Sequence, residues 1–363
     1  MEAQEAKREL ESLRRRIDEV DMELLALLEE RMELGLRTRA LKSGPLDAAR
    51  ELSVLARAKQ NSLALVGEGF AQEVFSAIMA ESRRLQEKRH TIVAFQGEHG
   101  AHSEIAARSL VPGAATVPCV EFGDVFLGVQ QGRFELGVVP VENSLEGPVS
   151  QVSTLLPESG LWIRGEASVP VRHCLLAWPG SDYRDLRVAY SHPMALGQCR
   201  GFLARHKLEP RPFYDTAGAA RMLAREKPRG AAAVASALAA HLYGLEVIQE
   251  GIEDEESNTT RFLLLARSPS EQGDKCSVVF TVRHESGQLL KGLELFAGAG
   301  LNLTRIASMP CRSDPGSYRF FLDFEGTDRD PAVREVLSEL QRRATSFRFL
   351  GCYPAAGRGE GAG

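Results

Sequence analysis

Three groups of residues in this chain have types and spacings suited to chemistry. In Leu136-Gly-Val-Val-Pro-Val-Glu-Asn-Ser-Leu-Glu-Gly-Pro148 an apolar β-forming run stops at Glu142, Asn143 and Ser144, and Gly147 and Pro148 punctuate the loop beyond them. A short unbroken apolar run reads as a strand covered on both faces. In an open α/β sheet, ligands bind beyond the carboxyl ends of such strands, so the three polar side chains stand where a substrate would be met. Taken alone, they suit a turn or a helix cap better than a site. The second group is cationic. Leu10, Leu13, Ile17, Val20, Leu24, Leu27, Leu28 and Leu34 recur at helical spacing. At about 100° per residue, Arg31 falls near the middle of their stripe and Lys42 close beside it. Burying either unpaired is costly, so each needs an anion from the protein or from a ligand. Arg14 flanks the same stripe, near Asp18 and Asp21. The third group, Gly97-Glu-His-Gly-Ala-His-Ser103, is a glycine-bearing loop ahead of a helix, a ready anion site. It lacks the glycine spacing of a dinucleotide loop, so a substrate carboxylate fits better. His99 and His102, with Glu98 and Glu104, bring no further ligand of settled metal geometry; neither a metal nor a cofactor is expected.

The elements that must position these groups differ along the chain. Over residues 1–90 the pattern is helical. A first helix reaches about Lys42, Gly44-Pro45 ends it, and Asp47 caps a second that opens with Ala48-Ala-Arg-Glu51. A third spans about Phe70 to Lys88, with Val74, Ile78 and Leu85 inward and Ser82 and Gln86 one turn apart on the edge of that face. A helical hairpin with an internal Arg31 to Glu51 ion pair accounts for the cation as well as a ligand does. From Thr91, β-runs at 91–95, 116–120, 161–171, 186–190 and 231–235 alternate with helical stretches at 122–132, 195–206 and 216–226, which indicates α/β layers. From Ser277 the order is β-α-β-β-α-β, with strands at 277–282, 302–308, 318–324 and 347–350 and helices at 287–297 and 331–344, a ferredoxin-like module.

A chain of 363 residues is too long for one ordinary core. Apolar content of 44% and charged content of 26% are those of a globular protein, and a net charge of −5 carries no electrostatic footprint for nucleic acid or membrane. Cys119, Cys174, Cys199, Cys276, Cys311 and Cys352 are scattered without a Cys-x-x-Cys pair, as expected for reduced thiols in a cytoplasmic protein. The N-terminus is charged helix rather than a signal peptide. The glycine-rich tail 355–363 is expected to be disordered.

The sequence resembles the bifunctional chorismate mutase/prephenate dehydratases across nearly its whole length. Gly97–Ser103, Val141-Glu-Asn-Ser144, Tyr190-Ser-His-Pro193 with Gln198-Cys199, and Asn258-Thr-Thr-Arg-Phe262 occur in the order of the dehydratase motifs; four short motifs in order are far more specific than one. The resemblance implies a helical chorismate mutase domain at 1–90, a two-lobed, periplasmic-binding-protein-like α/β dehydratase domain at 91–268, with residues near 172–245 as an inserted lobe, and an ACT domain at 274–354. For the mutase it implies Arg14, Arg31, Lys42 and Arg50 as cations toward the dicarboxylate, with Asp47, Glu51, Ser82 and Gln86 as polar partners. Lys42 and Gln86 then face the ether oxygen, and Glu51 and Ser82 the ring hydroxyl. Arg14 would come from the partner of a homodimer or higher homo-oligomer. Holding the reactive conformer and stabilising developing charge suffices for a pericyclic step. For the dehydratase it implies Thr260 as donor to the leaving hydroxyl of prephenate. Glu142, Asn143, Ser144, Ser191 and Gln198 orient the substrate, and Arg261 supports the loop or a carboxylate.

The same resemblance implies phenylalanine as effector, with Gly287, Gln288, Leu289, Leu290, Ser308 and Pro310 as regulatory positions. Here the chain departs from its relatives: a Glu-Ser-Arg-Pro segment reads Ala307-Ser-Met-Pro310. Gly100-Ala-His-Ser103 also replaces Gly-Thr-Phe-Ser, and Met194 replaces a polar residue of some relatives. Two other readings stay open at this point, an arogenate dehydratase and a non-catalytic amino-acid sensor.

Overall fold

The computed structural model describes residues 2–41, 44, 47–63, 65–88, 90–283, 285–311 and 317–357. The chain divides into two compact units, residues 1–91 with 242–244 and residues 92–241 with 245–363.

The first unit is helical: α1 (Glu2–Thr38), α2 (Ala48–Gln60) and α3 (Glu68–Glu87). α1 stops before the expected end at Lys42. The Thr38 hydroxyl donates to the Gly35 carbonyl at 2.7 Å, and a 3-10 turn over Arg39–Leu41 succeeds it. Lys42 and Pro45 lie outside the described residues. Asp47 caps α2 as expected, its Oδ1 accepting the Arg50 N–H at 3.0 Å. The apolar stripe of α1 is uncovered within the chain, with Leu13 at 57%, Ile17 at 58% and Leu27 at 61% exposure. α3 buries Ala71, Met79, Ser82 and Gln86 while Val74 is exposed. Its inward face is thus rotated from the one expected, because Gly35 on α1 lets Ser82 and Gln86 approach closely.

The second unit opens with β1 (Ile92–Gln96), α4 (His102–Leu110), β2 (Ala115–Cys119), α5 (Phe122–Gln130), β3 (Leu136–Asn143), β4 (Gly147–Pro148), α6 (Ser150–Leu155) and β5 (Trp162–Pro170). An inserted lobe comes next: β6 (Cys174–Ala177), β7 (Val188–Ser191), α7 (Pro193–Gln198), α8 (Arg200–Arg205), β8 (Glu209–Pro212), α9 (Thr216–Glu226), β9 (Ala231–Ala235), α10 (Ala237–Tyr243) and β10 (Glu246–Glu250). Its sheet has the order β10-β6-β9-β7-β8. The single helix expected over 195–206 is two, parted where Cys199 leaves helical backbone (φ −112, ψ 16); Gly197 and Gly201 beside it are weak helix formers.

The chain then returns as β11 (Thr259–Ala266) between β3 and β5, so the first sheet runs β2-β1-β3-β11-β5 with β4 on β3. β11 is antiparallel to both neighbours, and β1 is parallel to β2 and β3. Val93, Ala106, Val138, Val169, Phe262 and Leu264 pack as one core beneath α4. The remainder is β12 (Lys275–Thr281), α11 (Gln288–Gly298), β13 (Leu303–Pro310), β14 (Tyr318–Glu325), α12 (Pro331–Arg343) and β15 (Ser346–Tyr353). Its order β13-β14-β12-β15 is the ferredoxin-like one expected, with Phe280, Phe296, Phe324 and Leu340 in its core. The tail is held at its start, contrary to expectation. The Ala355 N–H donates to Asp274 at 2.8 Å and the Ala356 N–H to Glu166 at 2.9 Å. Residues 358–363 lie outside the described residues. Among the described residues no helix is long and apolar enough to cross a membrane.

Candidate active sites

In the helical unit, Arg31, Ser82 and Gln86 gather around Gly35. A Cβ added there would lie 2.5 Å from Ser82 Oγ, 3.6 Å from Gln86 Nε2 and 3.7 Å from Arg31 Nη1, so a larger residue would fill the space the three share. Gln86 Nε2 donates to Ser82 Oγ at 3.2 Å, and Gln86 Oε1 is buried without a partner among the described residues. The internal ion pair left open by the sequence does not form: Glu51 is bonded to Arg83. Among the described residues Arg31 has no ion-pair partner. Asp47 and Arg50 are exposed at the start of α2, and Arg14 is exposed on α1. Sequence reasoning passed over Gly35, although a glycine inside a helical pattern is itself a signal of close approach.

In the two-lobed unit the register sets Thr260 opposite Asn143 and Arg261 opposite Glu142. Asn143 Nδ2 donates to Thr260 Oγ1 at 2.9 Å and to Asn258 Oδ1 at 2.7 Å, while its Oδ1 accepts the N–H groups of Leu145 and Glu146, each at 3.0 Å. With the Thr259 carbonyl at 3.3 Å from Nδ2, the Asn143 amide orientation is fixed by five partners. Because Thr260 Oγ1 accepts from Asn143, its own proton remains available to donate elsewhere. Ser144 Oγ accepts the Thr259 N–H at 3.0 Å, which ties the hairpin after β3 to β11. On the inserted lobe, Ser191 is fully buried with its hydroxyl donating to the Val234 carbonyl at 2.6 Å. Gln198 Oε1 meets His173 Nε2 at 3.0 Å.

The loop 97–103 is organised by Glu104, which is completely buried. Its carboxylate accepts from the Gly100 N–H at 2.6 Å, Thr116 at 2.8 Å and Arg108 at 2.8 Å, and meets His99 Nδ1 at 3.1 Å. Burial opposes ionisation, but the bonds from His99, the Gly100 N–H and Thr116 outweigh it and hold the carboxyl down at about 2. A pKa depressed by folding stabilises above the unfolded-state value near 4.5 and loses that contribution as pH falls toward 2. Glu104→Gln should cost ~3 kcal/mol at pH 7, the equivalent of that shift. Urea melts at pH 7 and pH 3 should show the deficit shrinking at the lower pH.

Successive strand residues point to opposite faces, so Glu142 and Arg261 face away from Asn143 and Thr260. There they meet the C-terminal module. Glu142 accepts from Arg305 Nε of β13 at 2.6 Å. Arg261 bonds Glu166 at 2.6 Å, Asp323 at 2.5 Å and the Tyr353 hydroxyl at 3.1 Å. Ser277 bridges Asp323 and Tyr353, both at 2.6 Å, and Lys275 pairs with Glu166 at 2.8 Å. Arg261, Glu166 and Asp323 are largely buried and each multiply bonded, the condition under which such a network is tolerated. Of the regulatory positions, Gly287 begins α11 with φ +79, and Gln288 Nε2 donates to Glu285 at 3.0 Å. Leu289 packs on the module core and Leu290 is exposed. Ser308 and Pro310 lie on the exposed face of β13, while Ala307 and Met309 share the face of Arg305.

The chain thus combines a helical unit gathering a cation with an amide and a hydroxyl, and a two-lobed α/β unit holding an Asn–Thr pair. The sequence matches the family models for chorismate mutase type II over residues 13–87 and prephenate dehydratase over residues 93–270. The bifunctional chorismate mutase/prephenate dehydratase of Aquifex aeolicus is 34% identical over 96% of this chain and 98% of its own. Arogenate dehydratase/prephenate dehydratase 2 of Arabidopsis thaliana is 42% identical over 72% of each chain. Among solved structures, a prephenate dehydratase from Arthrobacter aurescens in complex with L-Phe is 32% identical, with TM-score 0.66 over 72% of this chain and 89% of its own. The chain belongs to the bifunctional chorismate mutase/prephenate dehydratase family, and carries both enzyme domains.

Proposed function

We propose that the helical unit rearranges chorismate to prephenate and that the two-lobed unit converts prephenate to phenylpyruvate. The observation that carries the second step is the 2.9 Å bond from Asn143 to Thr260. Prephenate loses carbon dioxide and its ring hydroxyl together, and aromatisation drives the step. The Thr260 hydroxyl, held by Asn143, donates to the departing hydroxyl. A neutral alcohol is a poor acid, so its contribution is a positioned hydrogen bond rather than free proton transfer. Gln198 orients the substrate from the other lobe, while Ser191, buried with its proton on the Val234 carbonyl, ties β7 to β9 behind it. In the mutase, Arg31 and Lys42 take carboxylate and ether oxygens, with Ser82 and Gln86 beside them, and Glu51, Asp47 and Arg50 complete the polar set. Following phenylpyruvate formed from chorismate by the purified chain tests both steps; its absence with mutase activity intact would sink the dehydratase reading. The 42% identity to an arogenate dehydratase/prephenate dehydratase supports a second reading, in which arogenate is the better substrate. Comparing kcat/KM on the two substrates separates them.

The uncovered stripe of α1 supports a homodimer in which a second copy covers it and Arg14 of the partner completes the mutase site. Six cysteines without a disulfide support a cytoplasmic location. The C-terminal module is read as an ACT domain with phenylalanine as effector. An effector acts only through differential affinity for two states. Ala307 and Met309 bring no charge to the face of β13 that carries Arg305, so inhibition is expected to be weak. Titrating phenylalanine against dehydratase activity should show little effect at micromolar concentrations, with partial recovery of inhibition in the Ala307→Glu, Met309→Arg double variant. Strong cooperative inhibition of the unmodified chain would contradict this.

A further inference from the structure

His173 lies where the chain crosses from β5 into the inserted lobe. It is 2% exposed, and its backbone N–H donates to Glu253 at 2.9 Å, a carboxylate that is itself buried and paired with Arg172 at 2.7 Å. The return crossing runs alongside, with the Val171 N–H donating to the Asn258 carbonyl at 2.9 Å and the Ile252 N–H to the His173 carbonyl at 3.1 Å. The His173 backbone is therefore pinned at both its N–H and its carbonyl by the return crossing, and its ring has little freedom. His102, the first residue of α4, stacks edge-on against that ring at 5.7 Å between centroids.

The ring nitrogens have unequal surroundings. Nε2 lies 3.0 Å from Gln198 Oε1, whereas Nδ1 is buried with no partner among the described residues. Burial also favours the neutral ring, moving the His173 pKa down against the opposing pull of Gln198 and Glu253. A neutral imidazole carries one proton. On Nδ1 it would leave a buried N–H unsatisfied, the costlier kind of orphan. On Nε2 it donates to Gln198 Oε1, and only an acceptor lone pair goes unused. The second arrangement decides the orientation of Gln198 as well: with Oε1 accepting, the two N–H donors of the amide are turned away from His173 and left for another acceptor.

We propose that His173 is a positioning residue of the dehydratase site: its Nε2–H holds the Gln198 amide so that it presents donors, and not its carbonyl, to an anionic oxygen of the substrate. This rests on the reading of the two-lobed unit as a prephenate dehydratase with Gln198 at the substrate. An amide free to flip would present its carbonyl part of the time and repel a carboxylate. The start of α4 and the crossing that holds His173 are far apart in sequence, so the pairing of the two rings exists only in the folded lobes.

The test is a double-mutant cycle on prephenate with the full chain, with the thermal melt of each preparation as the control for intact protein. His173→Phe keeps the ring and removes both nitrogens. It should raise KM at least ~10-fold with a smaller change in kcat, the signature of lost ground-state orientation. Gln198→Leu should show a comparable rise, and His173→Phe with Gln198→Leu should be no worse than Gln198→Leu alone, because the histidine acts only through the glutamine. His173→Gln, which can place an N–H near the position of Nε2, should recover most of the loss; a ring needed only for packing would not be replaced in this way. Wild-type KM in His173→Phe, or losses in the two single variants that multiply in the double, would overturn the positioning role while leaving the dehydratase reading intact. No turnover of prephenate by the unmodified chain would instead remove that reading. If His173→Phe fails to fold, as loss of its cooperative thermal melt would indicate, His173→Gln against Gln198→Leu still decides: wild-type KM in the first with a raised KM in the second supports the proposal, and raised KM in both overturns it.

Discussion

Thr260→Val should lower dehydratase kcat by about 100-fold, equivalent to ~2.7 kcal/mol of transition-state stabilisation, with KM little changed. Valine matches threonine in shape and deletes the hydroxyl alone, so the loss measures what the hydroxyl does as the ring hydroxyl leaves. The geometry also says why the fold should tolerate the change. Asn143 Nδ2 keeps Asn258 Oδ1 at 2.7 Å and the Thr259 carbonyl at 3.3 Å as acceptors, so removing Thr260 Oγ1 leaves no buried donor orphaned. Thr260→Ser retains the hydroxyl and should keep most of the turnover. Mutase activity in the same preparations should be unchanged. A valine variant that turned over at near the wild-type rate would show that the donor is another group; Ser191 is not that group, since its one proton is held by the Val234 carbonyl.

The sequence made this pair legible because both members sit in short motifs at the ends of apolar β-runs, and the end of a strand is a local property. What it concealed is which way neighbouring side chains point. Glu142 and Asn143 are adjacent in the chain and read as one polar cluster, yet alternation along β3 sends them to opposite faces. The partner that engages Glu142, Arg305, is 163 residues away, and no local pattern encodes that meeting. Arg261 is the same case seen from β11: the motif marks it, but only the packed module explains three acidic and phenolic partners around one guanidinium.

The helical unit shows a different limit. Periodicity established that α1 has an apolar stripe, and the stripe is there, but periodicity cannot name what covers it; within the chain Leu13, Ile17 and Leu27 remain exposed. The rotation of the buried face of α3 has a related origin. Val74 is apolar and at helical spacing, while Ser82 and Gln86 are polar, so a hydropathy pattern ranks them in the wrong order. Gly35 reverses that order by opening room for the polar pair, a steric effect that hydropathy does not contain. His173 escapes a sequence reading because it is embedded in Val171-Arg-His-Cys-Leu-Leu-Ala177, which reads as an ordinary buried strand.

Arg31→Ala should reduce mutase kcat/KM by about 100-fold or more without loss of stability, and the combination separates a ligand-binding cation from a structural one. The sequence left two readings of a cation on an apolar stripe, an internal ion pair or a substrate carboxylate. Glu51, the expected internal partner, is bonded to Arg83, and among the described residues Arg31 has no ion-pair partner. A half-buried charge without a partner costs desolvation free energy in the empty protein. Removing it should therefore leave the melting temperature unchanged or raise it slightly, whereas breaking a structural pair would lower it. On the proposed reading, bound chorismate gives the guanidinium a carboxylate in bidentate geometry, and its desolvation cost is recovered there. Arg31→Lys keeps the charge but not the planar fork, so it should fall between the two. Dehydratase activity on supplied prephenate should be unaffected in both variants, since Thr260 and Asn143 belong to the other unit. A melting temperature that fell with mutase activity in Arg31→Ala would return this residue to a structural role and leave the carboxylate without its principal ligand.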